Sequence, residues 1–348
     1  MQGGAVTLAR QFNLAYADSP PDLLIVDDML DLTTFLALTR QQTRDIPIAL
    51  YMHENQLTYP LHRDKTQGAM RRRQGKRNRH LVFINYSSML AAQHIYFNST
   101  YHLESWFAAL PNFLKNYPDY NELETIAQLR AKSSVLYVGV DALRVANGDS
   151  VVKSARAPLI LWNQRWEYDK DPETFLRALL VLHERDVNFR VAFCGENFSQ
   201  DAAAFDKAIA TLGDKVMHVG FASAEKYAYL LQQTSVTFST AQHEFFGISM
   251  VEAMLAGASL LLPRRLSYPE LVPEQLHHAV FYDDFQMLVG KLEQLLQGDE
   301  MRRQIGRTLK AHAQQFTWTT LAPQYDQAFT STLDKHQRFL GNHPMWTK

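Results

Sequence analysis

The sequence predicts an α/β protein of two consecutive domains, each built on a parallel sheet. Its 348 residues amount to about two domains at roughly 150 residues each. Short apolar runs alternate with helix-length amphipathic stretches in both halves, the signature of βαβ units. Between the two series lies DALRVANGDSVVKSARAP, from Asp141 to Pro158, which is polar, rich in small residues and without a period, as befits a linker.

The elements follow in order. VTLARQFNLAY has helical spacing, so the chain opens on a helix. LLIVDD (Leu23 to Asp28) is a short apolar run closed by acids, a buried strand, and a helical stretch from Leu32 to Gln42 leads to the strand IPIALYM (Ile46 to Met52). LVFINY (Leu81 to Tyr86) reads as a third strand by its β-branched and aromatic content, with helices from Ser87 to Leu110 and a closing strand SVLYVGV (Ser134 to Val140). The second series comprises LILW (Leu159 to Trp162), NFRVAFC (Asn188 to Cys194), VMHV (Val216 to Val219), VTFS (Val236 to Ser239) and SLLLP (Ser259 to Pro263), with a helix over Pro172 to His183. After Asp283 the pattern is helical to the end. These spacings divide the chain into a first domain over 1–141, a linker over 142–157, a second domain over 158–316 and a terminal helical segment over 317–348.

Composition narrows the function. Hydrophobic residues at 46% and charged residues at 20% supply two cores and exclude disorder as the main state. Lys+Arg at 35 against Asp+Glu at 36 gives a net charge of −1, which lacks the basic balance of a dedicated nucleic-acid binder. That average hides a segment: from Arg63 to His80 eight Lys/Arg face one acid, Asp64. The single cysteine, Cys194, excludes an internal disulfide and a multi-thiolate zinc site, and a cytoplasmic location is expected. No apolar run approaches the ~20 residues of a membrane span, and Met1 to Arg10 lacks the apolar core of a signal peptide.

Four constellations carry chemistry. YMHENQLTYP (Tyr51 to Pro60) delivers His53, Glu54, Asn55 and Gln56 at the carboxyl end of a strand, where open α/β sheets bind ligands. It is not a zinc-protease motif, because Leu57 stands where the second histidine is required. In WNQRWEYDKDP (Trp162 to Pro172), Arg165 and Lys170 flank a turn into a helix starting near Asp171, a place suited to phosphate oxygens. HEFFGISMVEAM (His243 to Met254) puts Gly247 ahead of a helix whose first amides point back to the crevice. Glu244 and Glu252 are eight positions apart, about 12 Å of rise along a helix at ~1.5 Å per residue. That exceeds the ~5 to 9.5 Å of paired glycosidase carboxylates, so the two hold different parts of an extended ligand. Finally, Arg71, Arg72, Arg73, Lys76 and Arg77 of the basic run are expected to steer an anionic acceptor to the His53 loop.

These residues carry a resemblance. HEFFGISMVE resembles the E-x7-E motif of retaining GT-B glycosyltransferases of glycosyltransferase family 4. YMHENQLTYP, WNQRWEYDKDPE and STAQHEFFG together look like the blocks of the tRNA-queuosine α-mannosyltransferase family, as do FNSTYHLESW (Phe97 to Trp106) and SYPEL (Ser267 to Leu271). The resemblance implies a GT-B fold of two Rossmann-like domains facing a cleft, with the terminal helix crossing back to the first domain. It implies that Arg165 and Lys170 bind the donor diphosphate, Glu244 the hydroxyls of the transferred sugar, and Glu252 the ribose diol. Phe246, Gly247 and Ile248 would offer backbone amides to the donor. His53 would stabilise charge near the anomeric carbon, making His53 and Glu244 the catalytic pair, and Glu54 and Asn55 would join the acceptor side. The donor implied is GDP-mannose and the acceptor queuosine in tRNA(Asp), with no metal or cofactor required.

This chain departs from the family at its front. Members begin with a strand and a glycine-rich GGSH-like turn; here Gly3 and Gly4 follow no strand. The expectation is a first domain lacking its first strand and a chain that binds donor poorly. Two other functions compete: a glycosyltransferase for a saccharide or lipid acceptor, and a non-catalytic sugar-nucleotide or RNA-binding protein. A tRNA acceptor predicts steep salt dependence of binding, whereas a lipid acceptor predicts an exposed amphipathic helix. Sequence alone leaves the oligomeric state open.

Overall fold

A computed structural model describes residues 2–59, 69–117, 119–142, 145, 157–195 and 202–342, without side chains at 2–3, 69–78, 202–204 and 339–342. It divides into two compact units, Met1–Tyr137 with Ala322–Lys348, and Val138–Leu321. The linker expected over 142–157 falls for the most part outside the described residues.

The first unit opens with helix α1 (Gln2–Ala15), followed by β1 (Leu24–Asp27), α2 (Leu32–Leu38), α3 (Arg40–Thr43) and β2 (Ile48–Met52). Then come α4 (Ala69–Ala91), β3 (His94–Phe97), α5 (Thr100–Leu114), α6 (Thr125–Ala131) and β4 (Ser133–Val135). The four strands pair in parallel in the order β1-β2-β3-β4. β2 is buried at every residue, as a parallel strand covered on both faces must be. β1, at the edge, alternates between half-buried and exposed, with Ile25 exposed. Asp31 starts α2 by accepting from the Thr34 amide, and Ser99 starts α5 by accepting from that of His102, each satisfying an orphan donor of the first turn.

Two strand expectations are corrected here. Leu81 to Tyr86 lies inside α4, and the strand falls later, at His94–Phe97. Val82, Tyr86 and Met89 are buried while Phe83 and Leu90 are exposed, a 3.6-residue face that a six-residue apolar window cannot separate from a strand. SVLYVGV is a strand only over Ser133–Val135; beyond it Val140 makes a single bridge to Thr317.

The second unit contains β5 (Leu159–Trp162), α7 (Pro172–Glu184), β6 (Arg190–Cys194), α8 (Ala202–Leu212), β7 (Val216–Gly220), α9 (Ala224–Gln233) and β8 (Thr234–Phe238). It continues with α10 (Ile248–Leu255), β9 (Ser259–Pro263), α11 (Tyr268–Leu271), α12 (His277–Val280), β10 (Phe281–Tyr282), α13 (Phe285–Gln297) and α14 (Asp299–Ala313). Its six parallel strands run β10-β9-β8-β5-β6-β7, the doubly wound order whose direction reverses between β5 and β8. Ligands of such sheets lie beyond the carboxyl ends of the strands at that reversal. The first sheet shows no reversal among its described strands. An aromatic stack fills the second core: Phe175 lies face to face with Phe238 at 3.9 Å, and Trp162 stacks on Trp166 at 5.0 Å.

The last helix, α15 (Trp318–Asn342), joins the first unit from Ala322 on. There Tyr325 Oη donates to the Tyr137 carbonyl at 2.9 Å and Tyr96 Oη donates to the Ala328 carbonyl at 2.7 Å. Both bonds satisfy hydroxyls that burial would otherwise penalise.

Candidate functional site

The two loops beside the strand reversal in the second unit are those the sequence singled out. One follows β5 and carries Asn163 to Asp171; the other follows β8 and carries Ser239 to Gly247. They are tied by main-chain bonds, the amides of Gln242 and His243 donating to the Asp169 carbonyl at 2.7 and 3.2 Å. Thr240 Oγ1 donates to the carbonyls of Lys170 and Asp171, each at 2.8 Å. The glycine after β6 permits a close approach: Gly195 has φ +135°, and a Cβ there would meet the Gln164 carbonyl oxygen at 2.6 Å.

Lys170 and Glu244 meet at the centre of this junction. Lys170 Nζ donates to the His243 carbonyl at 2.9 Å and to Glu244 Oε2 at 3.2 Å, and it faces Asp169 Oδ2 at 3.3 Å. Burial opposes the ammonium charge, but Glu244 and Asp169 outweigh it and raise its pKa. The three partners match the three N–H donors of an ammonium, so a phosphate oxygen must displace one of them to reach Lys170. Arg165 stands apart: its side chain is 59% exposed and its guanidinium is paired with Glu167 at 3.0 Å, a weak surface pair that a diphosphate can replace.

Glu244 also turns inward. Its Oε1 accepts from the amides of Phe245 and Phe246 at 3.1 and 3.3 Å, which occupies the Phe246 amide that the resemblance assigned to the donor. Gly247, at φ +101°, starts α10 with no side-chain cap. The amides of Ile248 and Ser249 in that first turn have no intrahelical acceptor, and the helix dipole adds positive potential there. The sequence-predicted Gly247 and Ile248 are therefore placed where an anionic ligand is favoured.

Glu252, one turn along α10, is held by a residue that the sequence reading missed. Tyr227 Oη donates to Glu252 Oε2 at 2.6 Å, and Asn163 Nδ2 donates to Tyr227 Oη at 3.2 Å and to the Ser249 carbonyl at 2.8 Å. Burial, with Glu252 beside it, raises the Tyr227 pKa well above its ordinary value, so the phenol stays a donor. Nothing in AEKYAYLLQQ distinguishes Tyr227 from an ordinary residue of an amphipathic helix; only the fold brings it to Glu252. Burial, with Lys170 close by, lowers the His243 imidazole to about 4.

In the first unit the His53 loop follows β2. His53 is exposed, its ring 4.7 Å from that of Tyr51. Desolvation lowers its pKa against the pull of Asp27. Asn55 is fully buried: its Oδ1 accepts from the amides of Leu57 and Thr58 at 3.1 and 2.9 Å, closing the turn. Glu54 accepts from Gln56 Nε2 at 3.1 Å. A second missed residue is Asp28, just past β1. It is 1% exposed, and burial pushes its carboxyl up to about 7 although the His53 amide pulls the other way. Its place at a strand's carboxyl end is the one signal the sequence held, and an acid there is commonplace. Arg71, Arg72, Arg73, Lys76 and Arg77 lie in α4, but their side chains fall outside the described residues. Among the described residues no three His, Cys, Asp or Glu side chains converge as metal ligands, and no helix is long and apolar enough to cross a membrane.

Comparison with known proteins bears on the family and the fold. Residues 1–140 match the family described as tRNA-queuosine alpha-mannosyltransferase N-terminal, and residues 149–312 match glycosyl transferases group 1. A tRNA-queuosine alpha-mannosyltransferase of Drosophila melanogaster is 31% identical over 271 residues, covering 76% of this chain and 67% of the relative. A GDP-mannose:cellobiosyl-diphosphopolyprenol alpha-mannosyltransferase of Xanthomonas campestris is 32% identical over 158 residues, covering 44% of this chain and 40% of that protein. Among solved structures, a sucrose-phosphate synthase from Thermosynechococcus elongatus superposes with a TM-score of 0.69 at 15% identity, covering 94% of this chain and 78% of its own. Anabaena HepE in complex with UDP and glucose gives 0.62 at 14% identity, covering 94% and 81%. The fold is GT-B, as these neighbours show. The chain is a glycosyltransferase and belongs to the tRNA-queuosine alpha-mannosyltransferase family.

Proposed function

We propose that this glycosyltransferase moves mannose from GDP-mannose to the cyclopentenediol of queuosine in a tRNA anticodon, with retention at the anomeric carbon. The observation that carries the reading is the pair of anchored carboxylates beside the strand reversal: Glu244 on Lys170 at 3.2 Å, and Glu252 on Tyr227 at 2.6 Å. Glu252 suits a ribose diol, because one oxygen is fixed by the phenol while the carboxylate retains acceptor capacity. Glu244 suits sugar hydroxyls, and the open amides at the start of α10, with Arg165 and Lys170, suit the diphosphate. The match of residues 1–140 to the family's N-terminal module and the 31% relative support tRNA as the acceptor.

In this reaction the bond from the mannose anomeric carbon to the diphosphate breaks and a bond to an acceptor hydroxyl forms. The hydroxyl proton passes to the departing phosphate, and GDP leaves. Fixed positive charge on the diphosphate stabilises that leaving group as the bond lengthens. His53, exposed on the acceptor-side unit, is the group assigned to stabilise charge that develops during transfer. No metal is needed where Arg165 and Lys170 neutralise the phosphates, and the protein acts in the cytoplasm, where tRNA is found.

The test is nucleoside mass spectrometry of queuosine-containing tRNA incubated with the purified chain and GDP-mannose. A product heavier by one hexose is expected. An unchanged queuosine profile, with hexose transferred instead to a saccharide or polyprenol acceptor, overturns the acceptor assignment and leaves the glycosyltransferase standing.

A further inference from the structure

His53 is the first residue past β2, where its main chain loses the sheet's hydrogen-bonding partners. The neighbouring strands nevertheless continue the ladder with side chains. Asp28, the first residue past β1, accepts from the His53 amide through Oδ1 at 2.8 Å. Asn98, the first residue past β3, donates from Nδ2 to the His53 carbonyl at 2.7 Å. Both polar groups of one exposed residue's backbone are thus gripped by buried side chains, Asp28 at 1% and Asn98 at 4% exposure.

The grips are themselves fixed. The Asp28 amide donates to the Tyr51 carbonyl at 3.2 Å, and its carbonyl accepts from Asn85 Nδ2 of α4 at 3.0 Å. Asn98 Oδ1 bonds His102 Nδ1 of α5 at 2.8 Å. Four elements therefore converge on one backbone position. Asp28 Oδ2 is buried with no partner among the described residues, an arrangement costly to the fold. A cost of that kind is tolerated where it fixes a functional geometry.

We propose that Asp28 is a positioning residue for the transfer step: with Asn98 it clamps the His53 main chain and so fixes where the imidazole stands. The proposal rests on the reading of His53 given above, and it names a role for Asp28 that the sequence motifs did not contain. Clamping from both sides removes backbone freedom that the imidazole would otherwise lose on reaching the transition state.

The experiment uses the full chain and the variants Asp28→Ala, Asp28→Asn and Asn98→Ala. Hydrogen exchange is read by mass spectrometry over Tyr51 to Asn55, with kcat for mannosyl transfer and KM for GDP-mannose alongside. Asp28→Ala is expected to speed exchange in that segment by about tenfold and to lower kcat by at least about tenfold, with donor KM unchanged. Asp28→Asn, which keeps the acceptor oxygen, is expected to restore both. Wild-type exchange in Asp28→Ala, or an Asp28→Asn protein that exchanges as fast as Asp28→Ala, overturns the clamp. A folded Asp28→Ala protein with full kcat overturns the positioning role. If the unmutated chain transfers no mannose to queuosine-tRNA, the proposed function falls, while the exchange measurement still decides the clamp.

Discussion

Replacing Lys170 with methionine tests the central ion cluster. The ammonium is nine-tenths buried and lies 3.3 Å from Asp169, itself 1% exposed, and 3.2 Å from Glu244. Methionine preserves the length of the side chain and removes the charge. Two carboxylates then share one buried corner without a cation. Glu244 keeps its bonds from the Phe245 and Phe246 amides, but Asp169 Oδ1 has no partner among the described residues even with the lysine present.

At an effective dielectric constant of about 20, a unit pair at these distances is worth ~5 kcal/mol before desolvation, and removing one partner of a buried pair costs about 3–5 kcal/mol. In a unit of this size that lowers the melting temperature by roughly 6–20 °C, at about 2–4 °C per kcal/mol. Scanning calorimetry at neutral pH measures it. Two controls separate charge from packing. The double variant Lys170→Met with Glu244→Gln should recover part of the loss, since only one buried carboxylate remains unpaired. The double variant Lys170→Met with Asp169→Asn should likewise recover part of the loss, since it removes the other carboxylate charge of the corner. A Lys170→Met protein melting within about 2 °C of the parent, or a deficit unaffected by either control, refutes the reasoning.

Three further expectations follow from single residues. Gly247→Ala forces a Cβ onto φ +101° and brings it within 3.2 Å of Leu271 Cδ1 and 3.3 Å of Tyr268 Cε1; a loss of about 1–3 kcal/mol in urea unfolding is expected, with weakened nucleotide binding. Tyr227→Phe deletes the 2.6 Å bond to Glu252 and should weaken GDP binding by about tenfold in calorimetric titration, at a net ~1 kcal/mol per lost bond or somewhat more when the acceptor is charged; unchanged affinity would separate Glu252 from the nucleotide. The His94 imidazole is lowered to about 4 from 6.5 by burial, then by Lys335 and Lys132. A depressed folded pKa means that protons bind the unfolded chain first, so the stability that the neutral ring contributes is lost as pH falls from 6.5 to 4. The advantage of the unmutated chain over His94→Gln in urea titrations should therefore decline across that window; a constant difference speaks against it.

What the sequence could reveal follows from the range of the signals. β2, β5 and β9 are buried throughout, and as uninterrupted apolar runs they were legible. Leu81 to Tyr86 was not, because its helical face is completed by Met89, beyond the window that looked like a strand. The motif residues Lys170, Glu244, Gly247 and Glu252 were legible because each lies just past a strand or at the helix that follows it, and the reversal between β5 and β8 then collects them at one crevice.

The residues that escaped share a physical cause. Tyr227 reaches Glu252 from 25 positions away, Asp28 reaches His53 from 25, and Asn98 reaches it from 45. None has a local pattern to announce it, since a phenol on an amphipathic helix and an acid at a strand end are commonplace in isolation. What makes them specific is the register of parallel strands, which sets Asp27 against Tyr51 and Met52 against Phe97. That register sets Asn98 level with His53 and Asp28 one position short of it, beside Met52. Register is a property of pairing between distant segments, so a chain read one segment at a time yields the side chains that meet substrate more readily than those that hold them. The His53 loop shows the difference: His53 stood in a motif, while the two side chains that fix its backbone became visible only when three strands were laid side by side.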